Sequence, residues 1–493
     1  MEKAISIEEI QNFEGKYPKQ LWYLSLVEMW ERFCFYGMRG VLAFFMVDQL
    51  HLSDQKSNLQ YGAIQAFVYA FTFIGGIFAD KVLGFRKSLF WGGSLMIIGN
   101  LILAFSPHDL FYIGITLSII GTGFFKPNIS SMVGELYHEK DNRRDAGYGL
   151  FYAGINVGGF AGGALCIYLG KYYSWNLCFL SAAAVMAFGL GTFIFTKKYL
   201  GPIGSSPLLH LKKTTQKFSE FAVYIGSLLC IPLIYIMVRN TAYTDYFMYT
   251  IGVFALIYFL IETFRIKDAK ARYKLLAAFV FIFCYFIFMA ISEQSGGSLS
   301  LFAKDNLDHK VLFLNIDPNV VNNSVNSFFV IVFSPIVGIL WLGMYKRKIE
   351  PNTVVKFGLG FILLAASFYV FYATRFFANA QGISSLNIFT FAYLLLTLGE
   401  LCIGPIGMSI ITKLSPKRMF GMMMGLWFLF SAFGQLAAGK LGAEMSSIEN
   451  ASLTTKLMAY TEGYKSLAVY SLIAGLALII FSQLVKKLMG EVR

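Results

Sequence analysis

Glu28, Glu31, Arg32 and Arg39 fall inside one otherwise apolar stretch from about Leu21 to Val47. At about 100° per helical residue, with Glu28 at zero, Glu31 sits near 300°, Arg32 near 40°, Tyr36 near 80° and Arg39 near 20°. The four charges therefore share one face of a single helix. An unpaired charge at mid-membrane depth costs at least a few kcal/mol, so that face must look into a bundle or a wet cavity. Two acids beside two bases can take up and release a proton while exchanging ion-pair partners. The competing reading is a self-compensating cluster that only locks helices together.

Further candidates lie in other apolar stretches. Lys126 falls about two-thirds of the way along its expected span, too deep to snorkel to either surface, and needs an anionic partner. The carboxylates of the first helix are the expected one. Pro127 beside it favours a kink. Tyr36 and Tyr69 offer hydroxyls. Asn156 offers a donor and an acceptor, as interhelical glue or as a ligand contact. In the second half of the chain, Glu293 closes an apolar run and Asn322, Asn323 and Asn326 cluster in the next. Glu400 stands mid-span before Gly404-Pro405, a pattern that predicts a discontinuous helix with exposed carbonyls. Trp427 and Ser431 share a later stretch, where Trp427 is packing or the wall of an apolar side-chain pocket.

The chain that must position these groups has 493 residues, 57% of them hydrophobic and 14% charged, with mean hydropathy +0.61. Apolar runs recur from end to end, which predicts an all-α polytopic membrane protein. Fourteen spans are expected, at roughly 22–47, 61–80, 87–106, 109–132, 147–170, 175–196, 218–238, 246–264, 274–293, 319–345, 354–374, 385–412, 418–439 and 465–485. Residues 1–19 are polar and mixed, with no cleavable signal expected. The six cysteines lie within apolar segments without C-x-x-C spacing and read as packing residues, so no metal site is expected. The five histidines fall in loops or at span ends, leaving carboxylates to carry protons.

The net charge of +13 follows the topology. Bases crowd alternate loops: Lys81, Arg86 and Lys87; Lys140, Arg143 and Arg144; Lys197 to Lys217; Arg265 to Lys274; Lys346 to Lys356; Lys413, Lys417 and Arg418; and Lys486, Lys487 and Arg493. The positive-inside rule puts these loops and both termini in the cytoplasm and removes nucleic acid as the reason for the charge.

The motifs carry a resemblance. Gly76-x-x-x-Asp80-x-x-x-Gly84-x-Arg86-Lys87 resembles the cytoplasmic signature of the major facilitator superfamily. Glu28-x-x-Glu31-Arg32-Phe33-x-x-Tyr36-Gly37, the Lys126-Pro127-Asn128 stretch and Phe151-Tyr152-x-x-Ile155-Asn156-x-Gly158 together resemble the proton-coupled oligopeptide transporter family, of bacterial type. The agreement extends over nearly the whole chain. It departs at Phe35, where the family usually has the first of two tyrosines, at Met289 and Ser292, and at Ser327, which follows Asn326 in place of proline.

The resemblance implies a major facilitator fold of two six-helix halves, 1–200 and 272–493, with a linker and two extra helices at 201–271. It implies symport of protons with di- and tripeptides into the cell by alternating access, not an enzyme. Proton coupling falls to Glu28, Glu31, Arg32, Lys126 and Glu293, and Arg39 with Glu293 form an extracellular gate. Substrate binding falls to Arg32, Tyr36, Arg39, Tyr69, Lys126, Asn156, Asn326, Glu400, Trp427 and Ser431. The chemistry agrees, because a short peptide is a zwitterion. Arg32 and Lys126 suit its carboxylate, and Glu400, helped by Asn326 and Asn156, suits its ammonium group. Expected partners are peptides, peptide-like drugs, protons and membrane lipid, without nucleic acid or cofactor. A monomer in the inner (plasma) membrane is expected. Another substrate such as nitrate would leave Glu400 without a role. An intramembrane enzyme lacks a nucleophile or metal motif, and a non-transporting receptor lacks a large soluble domain.

Overall fold

In hydrocarbon every backbone N–H and C=O must be satisfied within the chain, so long apolar runs become helices. The computed structural model describes residues 5–138, 141, 143–416, 419–446 and 451–490. Lys140, Lys417, Arg418 and Arg493 of the basic pattern lie outside the described residues. The long helices are α1 (Lys19–Asp48), α2 (Asp54–Phe78), α3 (Phe85–Phe105), α4 (Phe111–Glu135), α5 (Arg143–Tyr172), α6 (Trp175–Thr196) and α7 (Lys213–Arg239). They continue as α8 (Thr241–Phe264), α9 (Ala269–Ser292), α10 (Pro318–Lys346), α11 (Thr353–Ala373), α12 (Leu386–Leu414), α13 (Phe420–Glu444) and α14 (Leu453–Ile480). Among the described residues, twelve helices are long and apolar enough to cross a membrane. The two long helices outside that set, α1 and α4, carry Glu28, Glu31, Arg32, Arg39 and Lys126.

Helix starts follow local chemistry. Ser174, Asn352 and Ser452 each accept a hydrogen bond from the backbone N–H three residues on, at 3.2, 3.0 and 3.2 Å. Asp317 caps α10 ahead of Pro318, a residue pre-set for the first helical turn. The predicted break in α12 does not occur, because the helix runs unbroken through Pro405. Proline removes one donor, but neighbouring helices and local adjustment keep such a helix continuous in a membrane protein. Lys126 likewise precedes a proline that α4 carries inside its length. After α9 comes a tight turn at Glu293–Gly296, a short helix Ser298–Asn306 and a small antiparallel hairpin pairing Lys310 with Asn315.

The contacts divide the chain into two compact units. The first comprises Met1–Val41 with Phe67–Arg239, and the second comprises Leu42–Ala66 with Asn240–Arg493. In the first, α3 packs along both α4 and α6, and α5 along α6. In the second, α11 packs between α12 and α14, with α9 against α13. The extra helices expected at 201–271 are shared between the units. They also carry charge: Glu220 of α7 is buried and pairs with Lys87 at 2.6 Å. Asp245 of α8 pairs with Lys440 of α13 at 2.8 Å. An acid near a helix end meets a base that follows no periodic pattern within its own segment.

Candidate functional sites

In the first unit α1 is held at close range by α5. A Cβ on Gly158 would strike the carbonyl of Met29 and the stem of Arg32, and one on Gly162 would strike the carbonyl of Phe33. Small residues at these positions let the two backbones approach, and so set the depth and rotation of the charged face. Glu28, Glu31 and Arg32 are 1%, 0% and 2% exposed, too little for water to screen them. Arg32 Nε donates to the Glu31 carboxylate and forms an ion pair with Glu28 Oε1 at 3.2 Å. One guanidinium thus answers two acids. Three polar atoms of the group, Glu28 Oε2, Glu31 Oε1 and Arg32 Nη2, are buried without a hydrogen-bond partner among the described residues. Buried polar atoms are almost always satisfied, so three orphans in one cluster make it a candidate site.

Lys126 does not take the partner expected for it. No ion pair joins it to a carboxylate among the described residues, and its ammonium lies over the Tyr69 ring, 5.0 Å from the centroid. Arg32 pairs with one oxygen of each acid, and for Lys126 a ring face supplies part of the attraction a carboxylate would. Arg39 lies over Tyr36 at 5.8 Å. Asn156 donates to the carbonyl of Tyr152 on its own helix at 2.9 Å, so this bond is not the interhelical one considered for it.

The second unit brings together another set. Asn326 Nδ2 donates to Glu400 Oε2 at 3.0 Å, joining α10 to α12. Asn322, the competing asparagine, is used structurally: it donates to Ser295 O at 2.7 Å and accepts from Tyr393 Oη at 2.7 Å. Of these two asparagines, Asn326 is the one that bonds Glu400. Trp427 is buried and stacks on Tyr285 with centroids 3.8 Å apart and planes at 15°. Ser431 is turned back to the carbonyl of Trp427 at 2.8 Å. Glu293 is half-buried at the turn that ends α9. Arg39 belongs to the first unit and Glu293 to the second.

Sequence reasoning missed two features here. Tyr285 is one of many aromatics in α9 and carries no spacing signal. Missed too was a lattice of ions in the second unit. Lys304 pairs with Asp48, while Lys456 pairs with Asp305 at 2.6 Å and Asp54 at 3.4 Å. Tyr460 Oη donates to Asp54 at 3.1 Å. These residues come from four separate segments near span ends, where charge is ordinary, so no local pattern sets them apart.

A buried charged cluster in a chain of many long apolar helices fits a multi-pass membrane transporter, and the family and relatives bear that class out. The model of the POT family matches residues 86–481. The chain belongs to that family. It is 31% identical to dipeptide and tripeptide permease A of Serratia proteamaculans, over 92% of this chain and 87% of that one. It is 34% identical to the peptide transporter YePEPT of Yersinia enterocolitica, over 87% of this chain and 88% of that protein. A crystal structure of a variant of peptide transporter POT in complex with alafosfalin superposes with a TM-score of 0.83 at 29% identity, covering 99% of this chain and 100% of that one.

Proposed function

We propose that the protein carries di- and tripeptides, and peptide-like drugs, into the cell in symport with protons by alternating access. The observation that carries the reading is the buried Glu28–Arg32–Glu31 group with its orphaned atoms. Protonating either acid frees Arg32 from half its compensation, which links proton uptake to a change in what the guanidinium binds. Lys126, held by a ring and not by a carboxylate, is available to a peptide carboxylate together with Arg32. Glu400, oriented by Asn326, answers the ammonium end. Tyr36, Tyr69 and Asn156 address the peptide backbone, Trp427 and Ser431 border its side chains, and Arg39 with Glu293 act as the gate.

Two six-helix halves, 1–200 and 272–493, are the working parts, with 201–271 an insertion between them. The protein resides in the inner membrane as a fourteen-span monomer with both termini in the cytoplasm, where the basic loops collect. It needs no cofactor beyond the proton gradient. Uptake of a labelled dipeptide into proteoliposomes, with and without an imposed pH gradient, tests the proposal. Concentrative uptake should appear only with the acid side outside. Accumulation indifferent to the gradient would overturn the symport reading.

A further inference from the structure

The first unit holds a groove of about 560 Å³ that takes no part in the sites above. Its volume lies within the range of about 300–1,000 Å³ usual for ligand pockets. It opens between the start of α3, the end of α6 and α7, and its floor is the linker after Leu200. That floor is pinned in place. Arg86 donates from Nε to Ile203 O at 2.7 Å and from Nη2 to Gly201 O, and Ser206 Oγ donates to Val82 O at 2.7 Å. Gly204 N donates to Glu135 at 3.0 Å. Gly84 turns into the linker with φ 74, and a Cβ there would meet the backbone of Ser205. The groove is therefore shaped by backbone and not by side chains that happen to part.

Its lining has two characters. The rim is cationic, with Arg86, Lys87, Lys197 and Lys198. Arg86 is committed to carbonyls and lies near Glu135, and Lys87 is paired with Glu220. Lys197 and Lys198 are exposed and have no ion pair among the described residues; Lys198 lies over the Tyr199 ring at 5.0 Å. The wall is apolar, with Phe90, Ile194 and Tyr224. On two of the same helices, α6 and α7, which are long enough to span a membrane, Phe195, Phe218 and Phe221 are 78%, 74% and 61% exposed. Uncompensated cations above an apolar wall, at a helix end, match an amphiphile whose head is an anion.

We propose that this groove binds one anionic glycerophospholipid of the surrounding membrane, its phosphodiester between Lys197 and Lys198 and an acyl chain along Phe90, Ile194 and Tyr224. Basic recesses between membrane helices select acidic headgroups in this way. A free inorganic anion would use the rim and leave the wall idle. The lipid bridges α6 to α7, so that the inserted helix completes a lipid site on the first unit. Only the leaflet, cytoplasmic, rests on the orientation proposed above.

The test is equilibrium lipid binding by the purified full-length protein in detergent, independent of transport and of orientation. Phosphatidylglycerol is compared with phosphatidylcholine of the same chains, with inorganic phosphate as competitor. Phosphatidylglycerol should bind with a preference on the order of tenfold. The preference should vanish in the double variant Lys197→Gln/Lys198→Gln and persist in Lys197→Arg/Lys198→Arg, which keeps the charge. Absence of a preference in the natural protein, or a preference untouched in the glutamine variant, would overturn the site. Displacement by inorganic phosphate at concentrations matching the lipid would make it a free-anion site and overturn the lipid assignment.

Discussion

The polar group of the first unit and that of the second solve opposite problems. Around Arg32 one base faces two acids, all three fully buried, and three of their polar atoms have no partner among the described residues. Around Glu400 a half-buried acid receives a neutral amide from Asn326, and a stacked Tyr285–Trp427 pair stands in the same unit. The first arrangement is balanced near a change of charge state, because removing or adding one proton alters the compensation of every member. The second joins an acid to a neutral amide, which orients the carboxylate without a second ionised group in that bond. Coupling chemistry is thus expected from the first unit and recognition from the second.

The largest effect should come from Arg32→Met. Removing the shared cation strands two buried carboxylates, a loss of about 3–5 kcal/mol by analogy with broken buried ion pairs. Both uptake and the thermal unfolding temperature in detergent should fall, and an unchanged unfolding temperature would mean the cluster is not held by charge. Lys126→Ala should come next. It removes a cation that forms no ion pair with a carboxylate among the described residues, so stability should hold while gradient-driven dipeptide uptake falls by about a hundredfold or more, two charge-assisted contacts' worth. Loss of folding along with uptake would assign Lys126 a structural role instead.

Glu28→Gln and Glu31→Gln separate the roles of the two units most sharply. Each imitates a permanently protonated acid, so accumulation against a gradient should disappear while counterflow of labelled dipeptide continues. Exchange needs only movement around an occupied site, without net proton transfer. Loss of both together would show that the cluster serves binding or folding. Glu400→Gln should weaken zwitterionic dipeptides by about tenfold to a hundredfold, the worth of a charged hydrogen bond, and analogues lacking the amino group far less. Equal losses would remove Glu400 from the ammonium end. The smallest effect belongs to Tyr285→Leu. The stack with Trp427 contributes about 0.5–1.5 kcal/mol beyond area, so affinity for aromatic dipeptides should fall no more than about tenfold.

Much of this arrangement was readable before any coordinates. Most helices begin and end near the expected places, because hydropathy over some twenty residues and the need to satisfy the backbone are local properties; α14 instead starts at Leu453, twelve residues before its expected start, where Ser452 caps a polar first turn. The shared face of Glu28, Glu31 and Arg32 followed from the helical period alone. Pairing between helices was not readable. The carboxylates reserved for Lys126 went to Arg32, and Lys126 turned to Tyr69. Pro405, expected to break α12, sits inside an unbroken helix.

By itself the chain's order of residues determined an all-helical, many-span transporter, the direction its basic loops should face, and the residue types available for a proton and a zwitterion. Only the tertiary structure decided which partners those residues take. Asn326 and not Asn322 reaches Glu400, Asp54 meets Lys456 across most of the chain's length, and Lys197 and Lys198 come to rim a groove walled by α3 and α7. The reason is geometric. The period of a helix relates residues on that helix, whereas depth and rotation relative to a neighbour depend on contacts such as Gly158 against Met29, which no single segment encodes.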